Sequence, residues 1–245
     1  GTSNRRGSYQ NFGDLFIEDI SGVFESAPVE DYVRYLDMRN AIAGVRYSGA
    51  GVSYTREYLS SFPAKVIAVR LAADRNGKIS VRLRLRNNVR SGFVTPVYAD
   101  GVGSFEGKLD LVDFKAAFKA VPTGGTMVTN SDNIEIKDAD EVLIILAGAT
   151  NFDQHSATYI TDAAAMRTMV DTRIDNACSQ SWDALKAAHC LDFNSYFDRV
   201  NLSLGKGANN MTTESLVDSY AAGNTPEMER LLEELYFDYG RYLLI

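Results

Sequence analysis

Two histidines and two cysteines are the side chains of this 245-residue chain best suited to chemistry, and their spacing gives them little of it to do. His155 is flanked by Asp153, Gln154 and Ser156, a polar run in which an imidazole can orient a loop, contact a sugar hydroxyl or stand in solvent. His189 lies between Leu185 and Phe193 at helical spacing, where a hydrogen-bonded packing histidine is the commoner outcome. Cys178 and Cys190 stand twelve positions apart. A continuous helix would separate them by about 18 Å, far beyond disulfide reach, so they read as unpaired small residues facing interiors. Two Cys and two His at unrelated spacings do not make a metal ligand set. No catalytic, cofactor-binding or metal-ligating residue is assigned.

Other patterns resemble sites less closely than they first suggest. Gly101, Gly103 and Gly107 have the density of a phosphate loop but lack the strand-to-helix context, so a turn or bulge is predicted. Gly205-Lys206-Gly207 lacks the spacing and the following Ser or Thr of a nucleotide loop and reads as linker. Arg82, Arg84 and Arg86 could hold an anion, yet in an acidic chain they are explained as the polar face of a strand. The 13 Tyr and 12 Phe matter because flat rings can offer an apolar face to a ligand while remaining compatible with water. Tyr9, Tyr35, Tyr47, Tyr54 and Tyr98 are candidate platforms, with core packing the default for each. The single Trp, Trp182, is expected where helices meet strands.

The elements that position these residues change character along the chain. Up to about residue 150 the pattern is that of strands. Ile79, Val81, Leu83 and Leu85 alternate with Ser80, Arg82, Arg84 and Arg86, which gives one dry face and one wet face. Val66–Leu71 is a strand candidate, and Asn76-Gly77 predicts an antiparallel hairpin between the two. Further candidates are Tyr9–Ile20, Tyr32–Ala43, Gly44–Tyr47, Val52–Ser60, Phe105–Phe114, Gly125–Thr129, Ile134–Ile136 and Val142–Ala147, a set that predicts a sandwich. After Asn151 the pattern is helical: Ala163–Ala177 behind Asp162, Trp182–Cys190 behind Ser181, a short segment from Asp192 to Val200, and Thr213–Ala221. A last helix opens at Thr225-Pro226, with Met228, Leu231, Leu232, Leu235, Tyr236, Tyr239, Tyr242 and Leu243 at helical spacing and no stop signal. That helix is expected to pack on residues beyond the chain, and Gly1 reads as the remnant of a removed tag or leader.

Composition excludes some partners. A net charge of -7 and a pI near 4.9 supply no field for nucleic acid or anionic lipid. No apolar run approaches the roughly 18 to 20 residues of a membrane helix. No nucleic-acid or membrane partner is therefore predicted.

Three ordered blocks carry a resemblance. The first is Tyr9-Gln10-Asn11-Phe12-Gly13-Asp14-Leu15, continuing into Tyr32–Met38 and Tyr54–Pro63. The second is Trp182-Asp183-Ala184-Leu185 through His189, Asp192-Phe193, Phe197-Asp198-Arg199-Val200, Leu202 and Leu204-Gly205. The third is Leu235–Ile245 with its Gly240-Arg241-Tyr242 core. Together they resemble glycoside hydrolase family ninety-five, the inverting α-L-fucosidases.

The resemblance implies a mainly β fold with α: a large antiparallel β-sandwich of the supersandwich type, then a helical linker and the first helix of an absent (α/α)6 barrel. The implied divisions are a β-sandwich domain over 1–152, N-terminally incomplete, a linker over 153–223, and the barrel helix over 224–245. Inverting hydrolysis needs a carboxylic acid at the leaving oxygen and a second group activating water, with carboxyls about 6.5–9.5 Å apart. In the family these lie on the barrel, so this chain is expected to be catalytically silent. The implied partners are the catalytic barrel of the parent chain and, in the parent, a fucosylated glycan. Self-association through the last helix is a further expectation, as is a bacterial secreted or periplasmic parent. A self-standing carbohydrate-binding module is the alternative, alongside a related α-L-galactosidase or carbohydrate phosphorylase.

Overall fold

A computed structural model describes residues 13–86, 94–109, 111–207, 211–220 and 223–245. Tyr9 and its block through Phe12 fall outside these residues, as does Ala221 at the end of the expected Thr213–Ala221 helix. The elements in chain order are β1 (Asp14–Asp19), α1 (Val23–Ser26), β2 (Glu30–Asp37), β3 (Ile42–Gly49), β4 (Val52–Ser61), β5 (Val66–Ala73) and β6 (Ile79–Arg86). They continue with β7 (Val97–Ala99), β8 (Val102–Leu109), β9 (Val112–Thr123), β10 (Thr126–Thr129), β11 (Ile134–Ala139) and β12 (Glu141–Thr150). The helices α2 (Ala163–Cys178), α3 (Trp182–Phe197), α4 (Thr213–Asp218) and α5 (Pro226–Leu244) follow.

The strands form two antiparallel sheets, a small one in the order β1-β6-β11-β10 and a large one in the order β2-β3-β4-β5-β12-β9-β8-β7. Side-chain alternation explains the stacking. In β6, Ile79, Val81 and Leu83 are buried against the large sheet, while Arg82 and Arg84 stand on the outer face. The large sheet is dry on both sides at its centre. From β12, Val142 and Ile144 meet the small sheet, and Leu143 and Ile145 meet the helices, so the strand is one continuous apolar run. The result is a sandwich with a third, helical layer on its larger sheet.

Each long helix starts where the sequence supplies a cap. Asp162 accepts from the Ala164 amide and Ser181 from the Ala184 amide. On α2, Met166, Val170, Ile174 and Ala177 form the buried stripe, and on α3 Trp182, Leu185, His189, Phe193 and Phe197 do so. Four ion pairs tie α2 to the strands below: Lys115–Asp171 at 2.6 Å, Lys119–Asp175 at 2.8 Å, and Arg167 to Asp113 and Glu106.

Several sequence expectations need correction. β5 and β6 do not pair; the Asn76-Gly77 turn carries the chain from the large sheet to the small one, with the Gly77 amide donating to Asp140 at 2.7 Å. Tyr32–Ala43 is not one strand, because Asp37 accepts from the Asn40 amide and bends the chain between β2 and β3. Phe105–Phe114 likewise spans the end of β8 and the start of β9. Asp192 caps nothing: α3 runs unbroken to Phe197, since no Gly or Pro interrupts its apolar spacing. The premise of a continuous helix between the cysteines also fails, for α2 ends at Cys178 and α3 holds Cys190. Both thiols are free, and burial pushes both above their ordinary range. The short β7 and α1 carry too few residues for a periodic signal.

Candidate functional site

The separate sequence blocks converge on one joint, built around α3. At its N-terminal half, Lys186 reaches down to Glu57 of β4 at 2.8 Å. Glu57 is buried, and it also receives Arg70 of β5 at 3.3 Å, which in turn holds Glu141 of β12 at 2.7 Å. Two acids and two bases thus alternate across three strands and a helix. The arrangement fixes where α3 lies on the sheet.

One turn further along α3, His189 is buried, with Nε2 3.0 Å from the Asn40 carbonyl oxygen and 3.2 Å from that of Ala41. Both partners are acceptors, so Nε2 carries the proton and donates. The β2–β3 turn offers both carbonyls because Ala41 adopts a left-handed conformation, φ 50°, and Asn40 is clamped by Asp37. His189 is therefore a packing and positioning residue, as its apolar neighbours suggested.

At the C-terminal end of α3, the joint continues into α5. Arg241 donates to the carbonyls of Val200 at 2.6 Å, Phe197 at 2.5 Å and Tyr196 at 3.3 Å. A helix end leaves unpaired carbonyls and a partial negative charge, and a guanidinium fork answers both. The guanidinium also covers the Phe197 ring at 4.6 Å, and Tyr242 packs on Phe193 at 6.2 Å. The Gly205-Lys206-Gly207 linker lies along the same helix: the Leu204 amide donates to Glu234, and Arg230 donates to the Lys206 carbonyl. Thr225 caps α5, accepting from the Met228 amide. No residue of α5 is fully buried, and Tyr236, Tyr239, Leu243 and Leu244 form an exposed apolar stripe, with Leu244 88% exposed.

The remaining sequence candidates are scattered. Arg82 pairs with Glu135 at 2.7 Å, Arg84 with Glu18 and Arg86 with Asp14, so the arginine row is neutralised within the small sheet. Beside it opens a cleft of about 410 Å³ lined by Phe16, Arg84, Arg86, Tyr98 and Asp132. Gly101 sits in the β7–β8 turn at φ 77°, and Gly103 and Gly107 leave room for the Phe118 and Phe114 rings of β9. Trp182 is buried between helix and sheet. Among the described residues no group of three His, Cys, Asp or Glu could hold a metal ion, and no helix is long and apolar enough to cross a membrane.

None of the four described tyrosine platforms stands open. Tyr54 is buried in a cluster with Phe24 and Tyr47; Tyr35 lies over Gly44 beneath Arg46; Tyr98 accepts from the Leu85 amide. The open rings belong to other residues. Phe152 and Tyr159, 55% and 59% exposed, flank the loop that holds His155. Their signal was present in the sequence as two aromatics bracketing the polar run Asp153–Thr158 directly after the last strand.

Comparison with known proteins places this architecture. Residues 1–155, well over half of the chain, match the model for the glycosyl hydrolase family 65, N-terminal domain. The chain belongs to that family. Beyond this family 65 N-terminal domain, residues 181–245 match the glycosyl hydrolase family 95 catalytic domain, the family that the three blocks resemble. That second match opens at Ser181, the cap of α3, and runs through α5.

Alpha-L-fucosidase 2 of Arabidopsis thaliana is 27% identical over 97% of this chain and 31% of its own length. Probable alpha-fucosidase A of Aspergillus niger is 25% identical over 98% of the chain and 31% of its own length. The family 65 N-terminal domain and its helices thus span about a third of these relatives. A solved structure titled "Putative kojibiose phosphorylase from human microbiome" superposes with a TM-score of 0.52 at 11% identity, over 75% of this chain and 27% of that one. That likeness concerns the fold: a sandwich followed by helices.

Proposed function

We propose that this chain is the N-terminal, non-catalytic portion of an inverting α-L-fucosidase-like glycoside hydrolase acting on fucosylated glycans, in which the sandwich and α3 hold the catalytic barrel in place. The observation that carries this reading is the seam at Arg241. Helix α5, which closes the stretch that matches a catalytic-domain family, is locked by three carbonyl hydrogen bonds to the C-terminal end of α3, the helix that opens that same stretch and lies on the sandwich. The exposed stripe of Tyr236, Tyr239, Leu243 and Leu244 is the face left for the barrel.

A general acid needs its proton held at neutral pH. Two carboxylates are pushed the other way: Arg82 holds the Glu135 carboxyl below its ordinary range, and hydrogen bonds from its own backbone amide and from Arg230 do the same for Glu227. A secreted or periplasmic parent belongs to the same proposal. The test is hydrolysis of an aryl α-L-fucoside by this chain alone and by the chain continued to the length of its relatives. The short form is expected to show no turnover above a mock purification, and the long form to release β-L-fucose, visible by NMR before mutarotation. Turnover by the short form would overturn the reading.

A further inference from the structure

The loop 152–160 is closed and braced from below. An antiparallel bridge joins Phe152 to Ile160, and the Asp153 amide donates to the Tyr159 carbonyl at 3.0 Å. Beneath them the buried Asn151 donates to the Thr161 carbonyl, accepts from the Asp113 amide, and receives the Thr161 hydroxyl on its own carbonyl. Tyr159 itself stands at φ 60°, a conformation that bulky side chains avoid. Such strain persists only where the surroundings over-determine it.

What this bracing presents is a pair of aromatic faces. The Phe152 and Tyr159 rings stack within 8° of parallel with centroids 6.3 Å apart, and both residues remain more than half exposed. Two other exposed rings are capped by cations: Lys65 lies over Phe62, and Arg199 over Tyr196. The exposed neighbours within the loop are mostly polar: Gln154, His155 and Thr158, with Ala157 the one small apolar residue among them. Gln154 and His155 are exposed, in contact through Nε2 atoms 3.2 Å apart, and Asp153 accepts from the His155 amide.

A protein-docking patch would bring aliphatic company to its aromatic anchors. Parallel rings beside planar donors and acceptors instead match a pyranose, which has one C–H face and a rim of hydroxyls. We propose that loop 152–160 is a carbohydrate-contact site, with a neutral hexopyranose stacked on Phe152 and Tyr159 and its hydroxyls bonded by Gln154 and His155. The site does not depend on the barrel: it would serve a parent hydrolase and a self-standing module alike.

The test is NMR titration of the full chain with 2′-fucosyllactose and, separately, lactose, into the millimolar range. Amide shifts are expected in 151–161 with either sugar. Phe152→Ala and Tyr159→Asn, the latter keeping a residue that tolerates positive φ, should each weaken binding about tenfold. Phe62→Ala, on a different loop, should leave it unchanged. Spectra of the variants outside the loop report folding, and Phe152→Ala alone suffices should Tyr159→Asn unfold. Absence of shifts with both sugars, shifts confined to other residues, or binding that survives Phe152→Ala would overturn the site. Protection of these rings only after the downstream chain is added would assign them to a protein interface instead. Hydrolysis plays no part in this readout, so its failure is separate from that of the enzyme reading.

Discussion

Arg241 shows how one side chain can hold two parts of a protein together. Its hydrogen bonds tie α5 to the end of α3, and its side chain is only 15% exposed. Hydrogen bonds to charged groups contribute about 1.5–3 kcal/mol each when well placed, and the three here share one guanidinium and a partly wet edge. Arg241→Ala is therefore expected to destabilise the α3–α5 seam by about 2 kcal/mol in all. Arg241→Lys should recover little of this, because an ammonium is a point charge and cannot bond three carbonyls in one plane while covering the Phe197 ring. Hydrogen exchange of the α5 amides provides the measurement. Equal protection in the wild type and Arg241→Ala would show that the seam is held by its apolar contacts alone.

At the scale of elements, the small sheet's outer face is a ladder of charge whose strength depends on pH. Glu135 of β11 lies directly across from Arg82 of β6, which donates to it at 2.7 and 3.0 Å. That pairing holds the carboxyl below its ordinary 4.5, so its contribution is complete above pH 4.5 and is lost as pH falls further, through the folded-state value. Glu135→Gln should be less stable than wild type at neutral pH, with a gap that narrows in acid below pH 4.5. Urea midpoints across that range decide it, and a gap constant with pH would refute the assignment.

The same ladder shows how far elements can be read from residues. The alternation in β6 displays its two faces openly, and the charged face became the ladder. It does not name a partner. Asn76-Gly77 licenses a reversal of direction, yet the chain reverses into the other sheet, because β6 buries its dry face against the large sheet rather than extending it. Strand identity is local; strand pairing is a property of the whole sheet. The site was legible to a similar depth. His189 and the Gly240-Arg241-Tyr242 block were visible as residues, whereas their meeting through α3 required the fold. The exposure of Phe152 and Tyr159 is set by where their loop lies, which no periodicity encodes.

For the whole molecule, burial falls steadily from the sandwich outward. β12 and β9 are buried between two layers, α3 is buried along one stripe, and α5 has no fully buried residue. Local stability follows burial, since an element with few desolvated contacts can open without the rest. Amides of β9 and β12 should therefore exchange only by global unfolding. Those of α5 should exchange through a smaller opening that leaves the sheets intact. The open stripe adds a second consequence. Tyr236, Tyr239, Leu243 and Leu244 form a contiguous apolar surface, and such surfaces seek cover. Sedimentation of the chain alone is expected to show weak, concentration-dependent self-association that Leu243→Glu abolishes without changing the exchange of β12. Continuing the chain to the length of its relatives should remove the self-association and raise α5 protection by about a hundredfold, the effect of roughly 2.7 kcal/mol from a covering partner. If α5 is already as protected as β12 in the chain alone, the stripe is not an interface, and the sandwich with its helices is an independent module.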